Sequence, residues 1–372
     1  MQTAIPCLLM RGGTSKGPFF RAQDLPRDLP TRDQVLLAAL GSPDRRQIDG
    51  IGGAHPLTSK VGIVSPSARE GIDLEFLFAQ LQPDKDTVDT TPNCGNMLAA
   101  VVPFALETGM VSARGETSTF RVLTLNTDMA ADITVQTPGG QISYEGTARI
   151  DGAPGQSAPV DIGFLDTAGS VCSSLLPTGN AKDRITVTGE GFDDFTLDVT
   201  CIDNGMPLVI LRAQDMGCTG QESVAELNAD GDLKRRIEAL RLQVSQQMGL
   251  GDVTHKNYPK MTLIAPPAQG GALTTRSFIP PVCHEAIGVL AAVTVGTAVK
   301  MPGTVCEGVA VLPQGDGSIT VSVEHPTGEF SVTLDSDPQQ PCVVTKAALL
   351  RTARLLMRGE VLVPRVVWNG ER

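Results

Sequence analysis

Apolar and polar positions along this chain alternate between two patterns. Short strand-like runs occur at 5–10, 57–64, 73–82, 118–124 and 131–136, bounded by turns rich in Gly, Pro, Ser or Thr. Residues 18–21 read as the strand returning from 5–10. Helical spacing predicts helices over 32–41, 95–109, 221–249 and 345–358. In the second of these, Leu98, Val101, Val102 and Ala105 fall at helical intervals, with Gly109 near the end. The stretches 95–109 and 286–299 are apolar on most sides, as suits helices wrapped by other structure. Residues 153–177, rich in Gly, Pro, Ser and Ala, read as a long connection.

The second half repeats the first in order. SKVGIVSP at 59–66 resembles PKMTLIAP at 259–266, and Leu98-Ala-Ala recurs as Leu290-Ala-Ala. ITVQTPGGQISY at 133–144 recurs as VSVEHPTGEFSV at 321–332. The offsets are 200, 192 and 188 residues, a drift that fits small deletions in a duplicated unit. The expected fold is therefore α+β. Its two similar halves, 1–195 and 196–372, each set strands around one buried apolar helix.

Composition narrows the function. A net charge of −11 and 4% aromatic residues argue against a nucleic-acid partner. The 39 glycines and 26 prolines exceed ordinary usage of roughly 12% and favour a turn-rich, strand-rich fold. The eight cysteines show no C-x-x-C or framework spacing, which suggests reduced thiols in a cytoplasm. The longest apolar stretch is shorter than a membrane span. The four histidines, His55, His255, His284 and His325, are scattered, so no metal motif is visible.

Candidate chemistry gathers at four places. Cys94 lies at the start of the first apolar helix, where free N–H groups favour a thiolate or a bound carboxylate; a small core cysteine is the plainer alternative. Lys60 enters an apolar strand, where desolvation would make it a usable base, unless it snorkels from the strand end. The hairpin carrying Arg11, Thr14, Ser15 and Lys16 is either an oxyanion holder or a solvated turn. Arg276, Ser277, Cys283 and His284 precede the second apolar helix, where Arg276 and His284 could bind a carboxylate. The glycines at 50–53 could let backbone approach a ligand. If the Leu-Ala-Ala triplets align, Ala286 matches Cys94, so the second half has no equivalent thiol there.

MRGGTSKG at 10–17, QIDGIGG at 47–53, LTSKVGIV at 57–64 and NCGNMLA at 93–99 together carry a family resemblance. DNGMP at 203–207, PKMTLIAPP at 259–267, RSFIP at 276–280, PGT at 302–304 and EHPTGE at 324–329 extend it. The chain resembles the family of 2-methylaconitate cis–trans isomerase and the 4-oxalomesaconate tautomerases. That resemblance implies a diaminopimelate-epimerase-like fold with pseudo-twofold related halves, each a rolled sheet around a central helix, and the active site between them. It implies Lys60 and Cys94 as the acid/base pair, no cofactor and no metal. Substrate binding would fall to Arg11, Ser15, Ser59, Asn93, Gly95, Asn96, Arg276, Ser277 and His284. The missing second thiol makes amino-acid racemisation a poorer fit. The implied activity is keto–enol proton transfer on an oxo-tricarboxylate in breakdown of gallate or a related aromatic, by a cytoplasmic homodimer. Two readings stay beside it: an allylic or cis–trans isomerase of 4-oxalomesaconate, 2-methylaconitate or aconitate, and a non-catalytic polycarboxylate-binding protein.

Overall fold

The computed structural model describes residues 1–165, 167–312, 319–337 and 340–371. It divides into two compact units, Met1–Leu165 with Leu350–Arg372, and Asp166–Leu349. The boundary expected at 195/196 falls inside the second unit. Among the described residues no helix is long and apolar enough to cross a membrane.

In the first unit, β1 (Gln2–Gly12) and β2 (Ser15–Arg21) form a hairpin whose turn is only Gly13 and Thr14. Arg11, Ser15 and Lys16 therefore stand on strands rather than in a loop. β2 runs parallel to β3 (Lys60–Pro66). Parallel neighbours need a long crossover, and this one carries α1 (Leu29–Leu40). That helix starts earlier than its apolar spacing suggests, because Asp28 caps it by accepting from the Thr31 N–H at 3.0 Å. β4 (Leu74–Leu81) is antiparallel to β3 and parallel to β6 (Thr117–Thr124). The second crossover carries β5 (Val88–Asp89), α2 (Gly95–Leu98) and α3 (Val101–Glu107). β7 (Met129–Gln136) and β8 (Pro159–Phe164) follow antiparallel. β8 lies within the stretch read as a long connection.

The single apolar helix expected over 95–109 is thus two short ones. Pro103 has no N–H to give the Ala99 carbonyl, and its ring crowds that carbonyl. The chain tightens instead, with the Ala100 N–H donating to Met97 O at 3.0 Å. Both helices stay buried, α2 against β1 and β2 and α3 against β3 and β7.

The second unit repeats this order strand for strand. β9 (Asp183–Val187), β10 (Phe195–Asp203) and β11 (Pro207–Arg212) are antiparallel neighbours. β11 is parallel to β12 (Lys260–Ala265), and the crossover holds α4 (Val224–Ala229) and α5 (Gly231–Gln247). The one long helix expected at 221–249 breaks at Asp230, which closes α4 and caps α5 through the Leu233 N–H at 2.8 Å. β13 (Leu273–Ile279) pairs antiparallel with β12 and with the short β14 (Val282–Cys283). After α6 (Val289–Lys300), β15 (Ile319–His325) lies parallel to β13 and antiparallel to β16 (Gly328–Asp337). α6 packs on β10, β11, β15 and β16.

The last element corrects the helix expected at 345–358. It is a strand, β17 (Gln340–Pro364), paired with β16 up to Leu349 and with β1 from Ala353 onward. β8 pairs with it as well. Ala, Leu and Arg favour a helix by only a few tenths of a kcal/mol each. Two ladders of backbone hydrogen bonds outweigh that preference, and they cover an edge of β1 that would otherwise lie open.

The helix in the first crossover of each unit packs outside its strands. Val35, Leu36, Ala39 and Leu40 join Ile5, Phe20, Val61 and Ile63 in one cluster. Leu233, Ile237, Leu240 and Val244 join Met261, Leu263 and Phe278 in the other. Replacing Asp230 by Ala removes the cap that starts α5. It should lower stability by about 1 kcal/mol, read as a lower urea midpoint with an unchanged slope.

Candidate active site

Alternation along β3 decides which side chains face the inner helices. Val61 and Ile63 belong to the cluster under α1, so Lys60, Gly62 and Val64 point to the opposite face. Lys60 is only 8% exposed. Its Nζ donates to Gln80 Oε1 at 2.6 Å and sits 4.9 Å from the centre of the Phe78 ring. Gln80 is the ladder partner of Lys60. Its amide nitrogen is fixed by the carbonyls of Pro56, Ser59 and Leu81, so its oxygen is presented to the lysine. Among the described residues, no carboxylate forms an ion pair with Lys60. Its acceptor is a neutral amide.

Cys94 is the N-cap residue of α2, half-buried and in extended conformation. Its N–H donates to Asn93 Oδ1 at 2.9 Å, and its carbonyl accepts from the Leu98 N–H at 2.9 Å. Asn93 is itself held by Thr124 and Thr127. Cys94 is thus at a helix mouth as expected, but α2 is a single turn and brings little macrodipole.

The turn of the first hairpin meets α2 directly. Asn96 Nδ2 donates to Thr14 Oγ1 at 3.0 Å. A side chain at Gly12 or Gly13 would collide with Asn96. One at Gly17 would meet both the Lys60 carbonyl and the Met97 methyl. The hairpin therefore stands against both the strand that carries Lys60 and the helix that Cys94 caps. Two buried polar atoms here have no partner among the described residues, Ser15 Oγ and Asn96 Oδ1. Such atoms are rare in folded proteins and each costs roughly 1–3 kcal/mol. Their place beside Cys94 and Lys60 suits a bound polar molecule.

Other candidates have structural duties instead. The Arg11 guanidinium donates to the carbonyls of Gly13 and Thr352 and to the hydroxyls of Thr352 and Ser157, tying the turn to β17. Ser59 Oγ donates to Gln47 Oε1 at 3.0 Å and to His55 O at 2.9 Å. The glycines at 50, 52 and 53 press on Leu40, Gln47 and Thr58 rather than opening toward a ligand. Arg276 lies on the outer face of β13, because Phe278 on that face joins the α5 cluster. It donates to Glu222 O, Thr275 O and Thr274 Oγ1. Ser277 faces inward, 3.5 Å from Thr262 Oγ1. His284 is exposed and four residues short of Gly288, the N-cap of α6, so it is not at that helix mouth. Cys283 joins the outer cluster, and burial pushes its thiol up to about 11. Glycine therefore stands at the second helix mouth, where the first unit has a cysteine. Among the described residues, no three His, Cys, Asp or Glu side chains gather to hold a metal ion.

Gln80 escaped sequence reading. Gln80 is one polar residue in an apolar strand, and only the β3–β4 register reveals what it faces.

The α+β fold described above has solved members. The structure aligns with the crystal structure of methylitaconate-delta-isomerase at a TM-score of 0.86 and 34% identity, over 98% of this chain and 97% of that one. The family model described as PrpF protein matches residues 2–364, and the chain belongs to that family. It is 50% identical to a 4-oxalomesaconate tautomerase of Pseudomonas putida, over 99% of each chain. It is 53% identical to a (4E)-oxalomesaconate Delta-isomerase of Novosphingobium, over 96% of this chain and 97% of that one.

Gln80→Leu leaves the buried Lys60 amine without its hydrogen-bond acceptor and should lower stability by roughly 1–3 kcal/mol, read as a lower urea midpoint.

Proposed function

We propose that the chain is a cofactor-independent 4-oxalomesaconate tautomerase, with Lys60 and Cys94 as its acid/base pair. The observation that carries this reading is the pairing at the hairpin. A buried lysine with no counter-ion among the described residues and a half-buried N-cap cysteine belong to two elements that pack on the same hairpin, and Ser15 on that hairpin and Asn96 on α2 each carry an unpartnered polar atom. The relatives named for oxalomesaconate chemistry, at 50% and 53% identity, support the substrate.

The chemistry needs one base and one acid. One of the pair takes the enol O–H proton, and the O–H electrons collapse into a carbonyl. The former C=C electrons then take a proton from the other group onto carbon. A placed acid and base supply roughly 10²–10⁴-fold. Stabilisation of the oxyanion adds to this, and the backbone N–H groups at Gly95 and Asn96 stand nearest to Cys94 for that task. Ser15 Oγ and Asn96 Oδ1 would hold substrate hydroxyl or protonated carboxyl groups; Asn93 acts through the Cys94 N–H.

A second reading has its own support in the relative named a Delta-isomerase. There the same pair would move a proton between two carbons and shift the C=C bond. Proton NMR of 4-oxalomesaconate with the protein in D₂O separates the two. Keto–enol interconversion with deuterium on one carbon and no moved double bond is the expected result. A moved double bond would establish the second reading, and a spectrum unchanged by the protein would contradict both.

A further inference from the structure

The duplicated strand order gives Lys60 a counterpart. Lys260 opens β12 as Lys60 opens β3, and each strand is parallel to the one before it and antiparallel to the next. Met261 and Leu263 face the outer cluster, so Lys260 faces inward toward α6. The surroundings of the two lysines differ. Lys60 has Gln80 across the ladder and Phe78 beside it. One step beyond the pair Met261 and Phe278, the residue across from Lys260 is Ile279, and the counterpart of Phe78 is Ser277. Among the described residues, no hydrogen bond or ion pair engages Lys260 Nζ. Burial, with no compensating charge, holds its pKa below the ordinary lysine value. The amine lies beside the start of α6: a Cβ on Gly288, the N-cap, would be 3.4 Å from Nζ. Gly288 offers α6 no side-chain cap, so a 12-residue helix presents open N–H groups next to an unpaired ammonium.

We infer that Lys260 is an anion-binding residue that, with Ser277 and the first turn of α6, takes a carboxylate of a polycarboxylate ligand. The duplication has been divided by function. The first unit keeps a thiol at the helix mouth and ties its lysine to an amide. The second has glycine there, which leaves room for a carboxylate, and its lysine has no partner among the described residues. The choice of a polycarboxylate rests on the proposed function; the placement of Lys260 does not.

Calorimetry with tricarballylate, which has no double bond to isomerise, tests this without turnover. The wild-type chain should bind it. Lys260→Met should weaken binding by roughly tenfold or more, and Lys260→Arg should restore most of it. Gly288→Asp is the sharper variant. Its backbone is extended (φ −71°, ψ 152°) and accepts a side chain. The introduced carboxylate would cap α6, pair with Lys260 and fill the place of the ligand. The variant should melt higher than wild type yet lose binding, a combination that a purely structural lysine would not give. Wild-type affinity in Lys260→Met or in folded Gly288→Asp overturns the inference, as does a wild type that ignores tricarballylate. Failure here leaves the D₂O experiment on 4-oxalomesaconate intact, because that experiment reads proton transfer and not this contact.

Discussion

Parallel strands cannot be joined by a tight turn. Each unit of this chain contains two parallel pairs, β2 with β3 and β4 with β6, then β11 with β12 and β13 with β15. Four long crossovers are therefore unavoidable. In each unit the first carries a helix to the outer face, and the second threads an apolar helix against the inner one. That arrangement makes both faces of β3 and β12 buried. A polar side chain on the inner face must then have a partner, stay unpaired at a cost, or meet a ligand. Lys60 with Gln80, and Lys260 with no acceptor among the described residues, are two outcomes of one constraint.

Much of this was legible in the sequence. The repeat between 59–66 and 259–266 announced the duplication, and the structure mirrors it strand by strand. Apolarity on most sides marked α3 and α6 as enclosed. What failed was read from local signals that tertiary pairing overrode. The segment 345–358 has good helix formers, yet the open edge of β1 draws it into a ladder. Pro103 sat in plain view inside an expected helix, and its missing N–H splits the segment in two. Asp230 likewise ends one helix and begins the next.

The candidate site was legible in part. Lys60 and Cys94 stand out because a lysine in an apolar strand and a cysteine before an apolar helix are each unusual. Arg11 and Arg276 looked like carboxylate binders by residue type alone. Alternation along β13 turns Arg276 to the outer face, and a net of carbonyls holds Arg11. Gln80 was invisible, because cross-strand register is a property of the folded sheet. The candidate site thus rests less on cations in loops than on buried groups that lack partners among the described residues.

The most direct test of the account is solvent-deuterium exchange into 4-oxalomesaconate, followed by NMR, for the wild type, Lys60→Met and Cys94→Ala. Circular dichroism and melting temperature serve to confirm that each variant is folded. Both folded variants should lose exchange by roughly 10²-fold or more. Exchange at the wild-type rate in either folded variant would contradict the assignment of the acid/base pair.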